Sequence, residues 1–183
     1  MIQYYFDIET TGIDPKKDMI ITIQWQRLNE SSGDPVGELQ ILKEWEASER
    51  GILAAFLPQI QCENCWDFVP IGKNLLFDFN FLDKRAGKHG LNGFDLAYCY
   101  SRPHLDLKHV LVLINQGEFK GYNRVLDHIG GHHVTNEGIP KLYERGKYED
   151  ILGYIERENE TFLQGLKLLK REMPALLVHF KNL

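Results

Sequence analysis

The chain has 183 residues, 43% hydrophobic and 26% charged, with a formal net charge of −5. A chain of that length is expected to form one domain of ordinary size, or at most two very small ones, and to bury roughly 70% of its unfolded surface. Its composition excludes a disordered or fibrous protein. No apolar run approaches the about 20 residues of a membrane span, and the acidic balance excludes a broad basic face for coating duplex DNA.

The first element is an aromatic and β-branched run, Ile2 to Ile8, stopped by the turn-rich Thr10-Thr11-Gly12-Ile13-Asp14-Pro15. Its start lacks a basic leader segment, so no secretory signal is expected. Met19 to Leu28 is a second β-rich run, with Ile21, Ile23 and Trp25 on alternate positions. After the turn Ser31-Ser32-Gly33-Asp34-Pro35, Glu38 to Trp45 reads as a third strand, and the three predict an antiparallel meander. Glu46-Ala47-Ser48-Glu49 opens a helix to about Ile60, with Ile52, Leu53, Phe56, Leu57 and Ile60 at helical spacing. Phe68 to Gly72 is a short buried strand that hands over to a helix from about Leu75 to Lys88. Helical patterns follow at Leu105 to Ile114 and Tyr122 to Ile129, then most strongly from Tyr148 to about Lys170. The stretch from Gly130 to Gly138 reads as a loop. No repeat or linker divides the chain, so residues 1–183 are expected to form a single α/β domain.

Three segments carry residues suited to chemistry. In Asp7-Ile8-Glu9-Thr10-Thr11-Gly12, residues two apart on a strand point the same way. Asp7 and Glu9 therefore present adjacent carboxylates, which repel and resist ionising when buried. A divalent cation removes both costs, and oxygen donors suit Mg²⁺ or Mn²⁺; solvated acids before a Gly turn are the alternative. In Gly72-Lys73-Asn74-Leu75-Leu76-Phe77-Asp78, Asn74 and Asp78 lie four apart, so a helix puts them on one face. Asp78 sits between Phe77 and Phe79, about a turn too deep for the helix dipole alone to explain it. Tyr154 and Glu158 repeat the four-residue spacing on the last helix, a pair also common on any amphipathic helix.

Together these segments resemble the DEDD superfamily of 3′-to-5′ exonucleases, of ribonuclease H-like fold, over about residues 2 to 165. FDIETTG matches the first motif, GKNLLFDFNFL the second, and Tyr154 the tyrosine that defines the DEDDy branch. Many relatives carry His where this chain has Lys73, and the family's fourth acid is Asp where this chain has Glu158. The resemblance implies an α/β ribonuclease H-like fold, a mixed central sheet that begins with three antiparallel strands and is flanked by helices. It implies a single ribonuclease H-like exonuclease domain that hydrolyses phosphodiester bonds at single-stranded 3′ ends, of DNA or RNA, by a two-metal mechanism. Two divalent cations, Mg²⁺ or Mn²⁺, would be held by Asp7, Glu9, Asp78 and Glu158, with Tyr154 orienting the attacking water. Thr10, Thr11, Lys73 and Asn74 would hold the terminal nucleotide.

Five residues after His128 stands His133, which is no acid. His132 to Glu137 fits a His-then-acid spacing loosely but falls in the Gly-rich loop rather than on a helix, so Glu158 remains the best choice. Lys84, Arg85, Lys88, His89, Lys108, Lys120 and Arg124 read as a solvated face, with phosphate contact as the alternative. Cys62 and Cys65 have the spacing of half a zinc site, but Cys99 stands alone, so two ordinary thiols are expected. Three Cys and no disulfide framework place the chain in a reducing cytoplasm. The rival readings are a catalytically weak nucleic-acid-binding module of the same fold, an endonuclease of that fold, and a subunit that docks a larger machine.

Overall fold

The computed structural model describes residues 1–91, 95–114 and 138–180. Its order is β1 (Gln3–Thr10), β2 (Ile20–Leu28), β3 (Gln40–Lys43), α1 (Glu44–Ile60), β4 (Val69–Gly72), α2 (Leu75–Lys88) and α3 (Leu96–Ser101). It continues with β5 (Leu105–Asp106), α4 (Leu107–Ile114), α5 (Ile139–Glu144) and α6 (Tyr148–Phe180). The five strands form one mixed sheet in the order β3-β2-β1-β4-β5. β1 pairs antiparallel with β2 and parallel with β4; β2 pairs antiparallel with β3, and β4 parallel with β5. The expected architecture is therefore present, with three antiparallel strands first. The anticipated helix at 122–129, the loop from 130, and residues Lys120, Arg124, His128, His132, His133 and Glu137 lie outside the described residues. Among the described residues no helix is long and apolar enough to cross a membrane.

Strand periodicity divides β1 between two cores. Phe6 and Ile8 face α1 and α2, packing with Ile52, Leu53, Phe56, Leu75, Phe79 and Leu82. Tyr5 faces the other way onto Phe162, Leu163 and Leu166 of α6. Asp7 and Glu9 continue the Tyr5 face, so the helix that covers Tyr5 also approaches the acids.

Four local expectations are corrected. Ile21 does not share a face with Ile23 and Trp25. A register shift at Glu9/Thr10 takes the pairing from Thr22 to Ile20, so a bulge turns Ile21 to the cluster of Ile139, Ile151 and Ile155, and Ile20 joins Ile23. The third strand is only Gln40–Lys43, because the chain turns helical at Glu44. Within α1, Ser48 breaks the helix at φ 62°, ψ 158°, and its Oγ accepts from the Gly51 N–H at 3.3 Å. That is an N-cap for the longer run that follows. The stretch expected as a helix from Leu105 begins instead as β5. Leu105 and Asp106 pair with Ile71 and Gly72, and α4 starts at Leu107.

Arg85 is not on a solvated face. It is 4% exposed and donates to Glu49, also 4% exposed, through Nε at 2.7 Å and Nη2 at 2.6 Å. His89 Nε2 lies 2.7 Å from the same carboxylate, and the Ile20 N–H donates to it at 2.7 Å. Burial alone would raise the Glu49 carboxyl, but Arg85, His89 and the Ile20 N–H together hold it below its ordinary value. This knot ties α1, α2 and the bulged start of β2. Arg85→Met leaves Glu49 buried without its main counter-charge and is expected to cost about 3–5 kcal/mol, read as a lower urea midpoint with unchanged m-value.

Candidate active site

Antiparallel pairing places Asp7 opposite Gln24 and Glu9 opposite Thr22. The Gln24 Nε2 donates to Asp7 Oδ2 at 3.0 Å, and the Thr22 hydroxyl donates to Gln24 Oε1 at 3.0 Å. Both β2 side chains are fully buried. This relay orients one carboxylate oxygen of Asp7 from within the sheet.

Helix α6 supplies the third acid through its four-residue row. Tyr154, Glu158 and Phe162 lie along one stripe, and Phe162 meets Tyr5 with ring centroids 5.0 Å apart. That contact sets Glu158 over Asp7 and Glu9. One oxygen from each of Asp7, Glu9 and Glu158 lies within 4.8 Å of the others. Asp78, 2% exposed, lies in the first turn of α2 rather than a turn deeper as its position suggested, and lines the same cleft of about 310 Å³. Tyr5, Ile13, Lys73, Asn74, Phe77 and Phe162 complete most of the remaining wall.

All four carboxyls are pushed above their ordinary values. Burial is the first cause for each, although Asp7 and Glu158 keep part of their surface open. The Glu158 charge adds to the shift at Asp7, the Asp7 charge to those at Glu9 and Asp78. Glu9 and Glu158 also share a hydrogen bond, which needs a proton between the two carboxyls. Lys73, exposed at the rim, opposes the shifts at Asp7 and Glu158. Tyr154 is buried and hydrogen-bonded to Glu158; burial, then the charges of Glu158 and Glu9, push its phenol far up, so it acts as a donor.

The remaining sequence candidates are distributed unevenly. Asn74 is not on the helix with Asp78. It is the cap of α2, in left-handed conformation at φ 66°, ψ 41°, and still lines the cleft. The Thr10 hydroxyl donates to the Gly12 carbonyl at 2.6 Å. The Thr11 N–H donates to the Met19 carbonyl at 3.0 Å, and its hydroxyl accepts from the Met19 N–H. Those threonines hold the turn after β1. Gly72, at the corner where β4 hands over to α2, has no room for a side chain, because a Cβ there would sit 2.6 Å from the Phe6 carbonyl oxygen. Cys62 and Cys65 are half-buried free thiols, with the Arg102 guanidinium donating to Cys62 Sγ at 3.5 Å.

Sequence reasoning missed Thr22, Gln24 and Asp106. The signal for the first two is polar residues interrupting the apolar MIITIQW run of β2, whose partners appear only once register is known. Asp106 is 5% exposed and belongs to a two-residue strand, too short to be read from pattern.

A twisted mixed sheet that holds acids from its central strand, a following helix and a late helix in one cleft is the arrangement of the ribonuclease H-like class. The chain belongs to that class: the family model RNase_H_2, of the RNase_H superfamily, matches residues 4–166. No curated protein matches the chain by sequence. Among solved structures it is similar to the zinc-bound form of E. coli exonuclease I in complex with single-stranded DNA. The TM-score is 0.65 and the identity 14%, covering 99% of this chain and 43% of that one. A product-bound exonuclease I gives a TM-score of 0.59 at 14% identity, covering 99% and 46%. E. coli exonuclease I with an oligonucleotide gives 0.58 at 15%, covering 97% and 43%. The chain thus spans less than half the length of the exonuclease I chains it matches.

Proposed function

We propose that the protein is a metal-dependent 3′-to-5′ exonuclease acting on single-stranded nucleic acid ends, DNA or RNA. The observation that carries this reading is the convergence of Asp7, Glu9 and Glu158 in one cleft with Asp78. Four carboxyls whose ionisation is opposed by burial and by one another's charge are a donor set in want of cations. Their hard oxygens fit Mg²⁺ or Mn²⁺. The family membership, the three DEDD-like motifs and the likeness to exonuclease I support the direction and the substrate class.

Divalent cations in this set would supply Lewis acidity to a water and offset the charge gathered at the phosphate. Asp7, held by Gln24 and interacting with both Glu158 and Asp78, would be shared by two ions. Glu9 and Glu158 would hold one and Asp78 the other. Tyr154 keeps its proton and donates toward Glu158, so its part is to orient a water rather than to deprotonate it. Lys73 and Asn74 at the rim would take the terminal nucleotide, with Thr10 and Thr11 shaping the turn beneath it.

The test is a gel time course on 5′-labelled single-stranded DNA and RNA with Mg²⁺, Mn²⁺ or chelator, beside Asp7→Ala. The expected result is a cation-dependent ladder shortening from the 3′ end, absent in the variant. Internal fragments would identify an endonuclease instead. Intact strands in every lane, with cation binding retained, would favour the non-catalytic module. Glu158 standing where the family has Asp favours that second reading, and Glu158→Asp would then be the variant to assay.

A further inference from the structure

The most constrained group near the cleft that the mechanism does not use is the Asp106 carboxylate. Pairing of β5 with β4 sets Asp106 beside Gly72, beneath the corner where the chain enters α2. Its Oδ1 accepts from the Asn74 N–H at 2.8 Å and the Lys108 N–H at 2.9 Å, and its Oδ2 from the Leu75 N–H at 2.9 Å. One buried carboxylate thus caps the N-termini of two helices, where the backbone donors and both dipoles favour a negative charge. The cap also holds Asn74 in the left-handed region, which residues with a Cβ seldom occupy.

The Lys108 side chain fixes what Asn74 presents. Lys108 Nζ lies 2.7 Å from Asn74 Oδ1. An ammonium has only donors, so the amide must turn its oxygen to Lys108. The nitrogen end, a pure donor, is what Asn74 then has to offer at the cleft wall it lines.

We propose that Asp106 and Lys108 are positioning residues that lock the Asn74 amide in one orientation, so that its Nδ2 donates to an acceptor oxygen of the terminal nucleotide. This rests on the exonuclease reading of the cleft. Asp106 sets the backbone of the corner and Lys108 sets the flip of the amide. Without Lys108 the amide is free to present its oxygen, which repels phosphate.

The experiment is a double-mutant cycle on the full chain: wild type, Asn74→Ala, Lys108→Met and the pair. KM and kcat are measured on a single-stranded oligonucleotide, with strand binding in Ca²⁺ by fluorescence anisotropy. Loss of a hydrogen bond to a charged group predicts that Lys108→Met raises KM about tenfold, with a smaller change in kcat. In the Asn74→Ala background Lys108→Met should add nothing further, and Lys108→Arg should restore most of the wild-type KM. Asp106→Asn should raise KM in the same way and also lower Tm; should it fail to fold, the Asn74 and Lys108 cycle decides alone. Additive effects would mean that Lys108 meets the strand directly, and an equal fall in kcat and Tm without a change in KM would mean a merely structural role. Either overturns the proposal while leaving the exonuclease reading intact. A wild type that neither binds nor cleaves any strand overturns both.

Discussion

Asp7→Asn should abolish strand hydrolysis and, in the same protein, raise the melting temperature measured in chelator at pH 8. The two effects share one cause. Asp7 is half-buried beside Glu9, Asp78 and Glu158, and its ionised form is disfavoured by loss of solvent first and by the Glu158 charge second. An Asn side chain removes that charge yet still accepts from Gln24, so the relay from Thr22 survives. Relief of that repulsion should appear as a rise of a few °C, since about 1 kcal/mol moves Tm by about 2–4 °C in a domain of this size. The loss of activity should be on the order of 10³-fold, because a metal ligand supplies several kcal/mol of transition-state stabilisation. Paired melting curves and gel assays check it; an Asp7→Asn protein that melts lower in chelator would show that the acids are not in conflict.

Without divalent cations the protein should lose stability as the pH rises, and Mg²⁺ or Mn²⁺ should restore it. Asp7, Glu9, Asp78 and Glu158 all have folded values above their ordinary ones. The folded state therefore holds protons that the unfolded chain has already released above about pH 4. The stability these groups contribute is fully present below that point and drains away as pH climbs through their folded values. Glu49 has the opposite sign: its carboxyl is held low, so its contribution is lost only toward acid. Between pH 5.5 and 8.5 the site dominates, and Tm in chelator should fall. Cations at about 100 times Kd should add about 2.7 kcal/mol, or about 5–10 °C, with a larger gain at pH 8.5 than at 5.5, since ligands must shed protons to bind. A flat Tm against pH, or a cation effect independent of pH, would argue against four mutually repelling carboxyls.

Much of this arrangement is legible in the amino-acid order, for reasons that differ from residue to residue. Asp7 and Glu9 could be paired on one face because a strand alternates sides, and α2 could be bounded because its apolar positions recur every three or four residues. Glu158 is legible through the resemblance of its segment to the third DEDDy motif, because its spacing from Tyr154 is by itself common on any amphipathic helix. Each of those is a local relation. The bulge that turns Ile21 away from Ile23, the relay from Thr22 to Asp7, and the Asp106 cap depend on which strand lies beside which. Spacing puts Asn74 on a helical face with Asp78, but its left-handed backbone is held from β5, thirty-two residues away. Arg85 looked like surface because its partner, Glu49, comes from another helix. Long-range pairing, not propensity, decided those positions.

Helix α6 has a property that goes beyond carrying Tyr154 and Glu158. Twelve residues past Glu158, about 18 Å along the axis, Lys170 Nζ donates to Gln3 Oε1 at 2.7 Å and to the Glu30 carbonyl at 2.6 Å. Lys167 pairs with Asp34 on the same hairpin turn. Gln3 opens the strand that Asp7 and Glu9 close, so the helix and β1 are fastened together at both ends. A beam clamped at two points cannot pivot about one of them. The placement of α6 over the sheet, and with it of Glu158 beside Asp7, thus has contacts behind it at the far margin of the molecule as well as across the cleft.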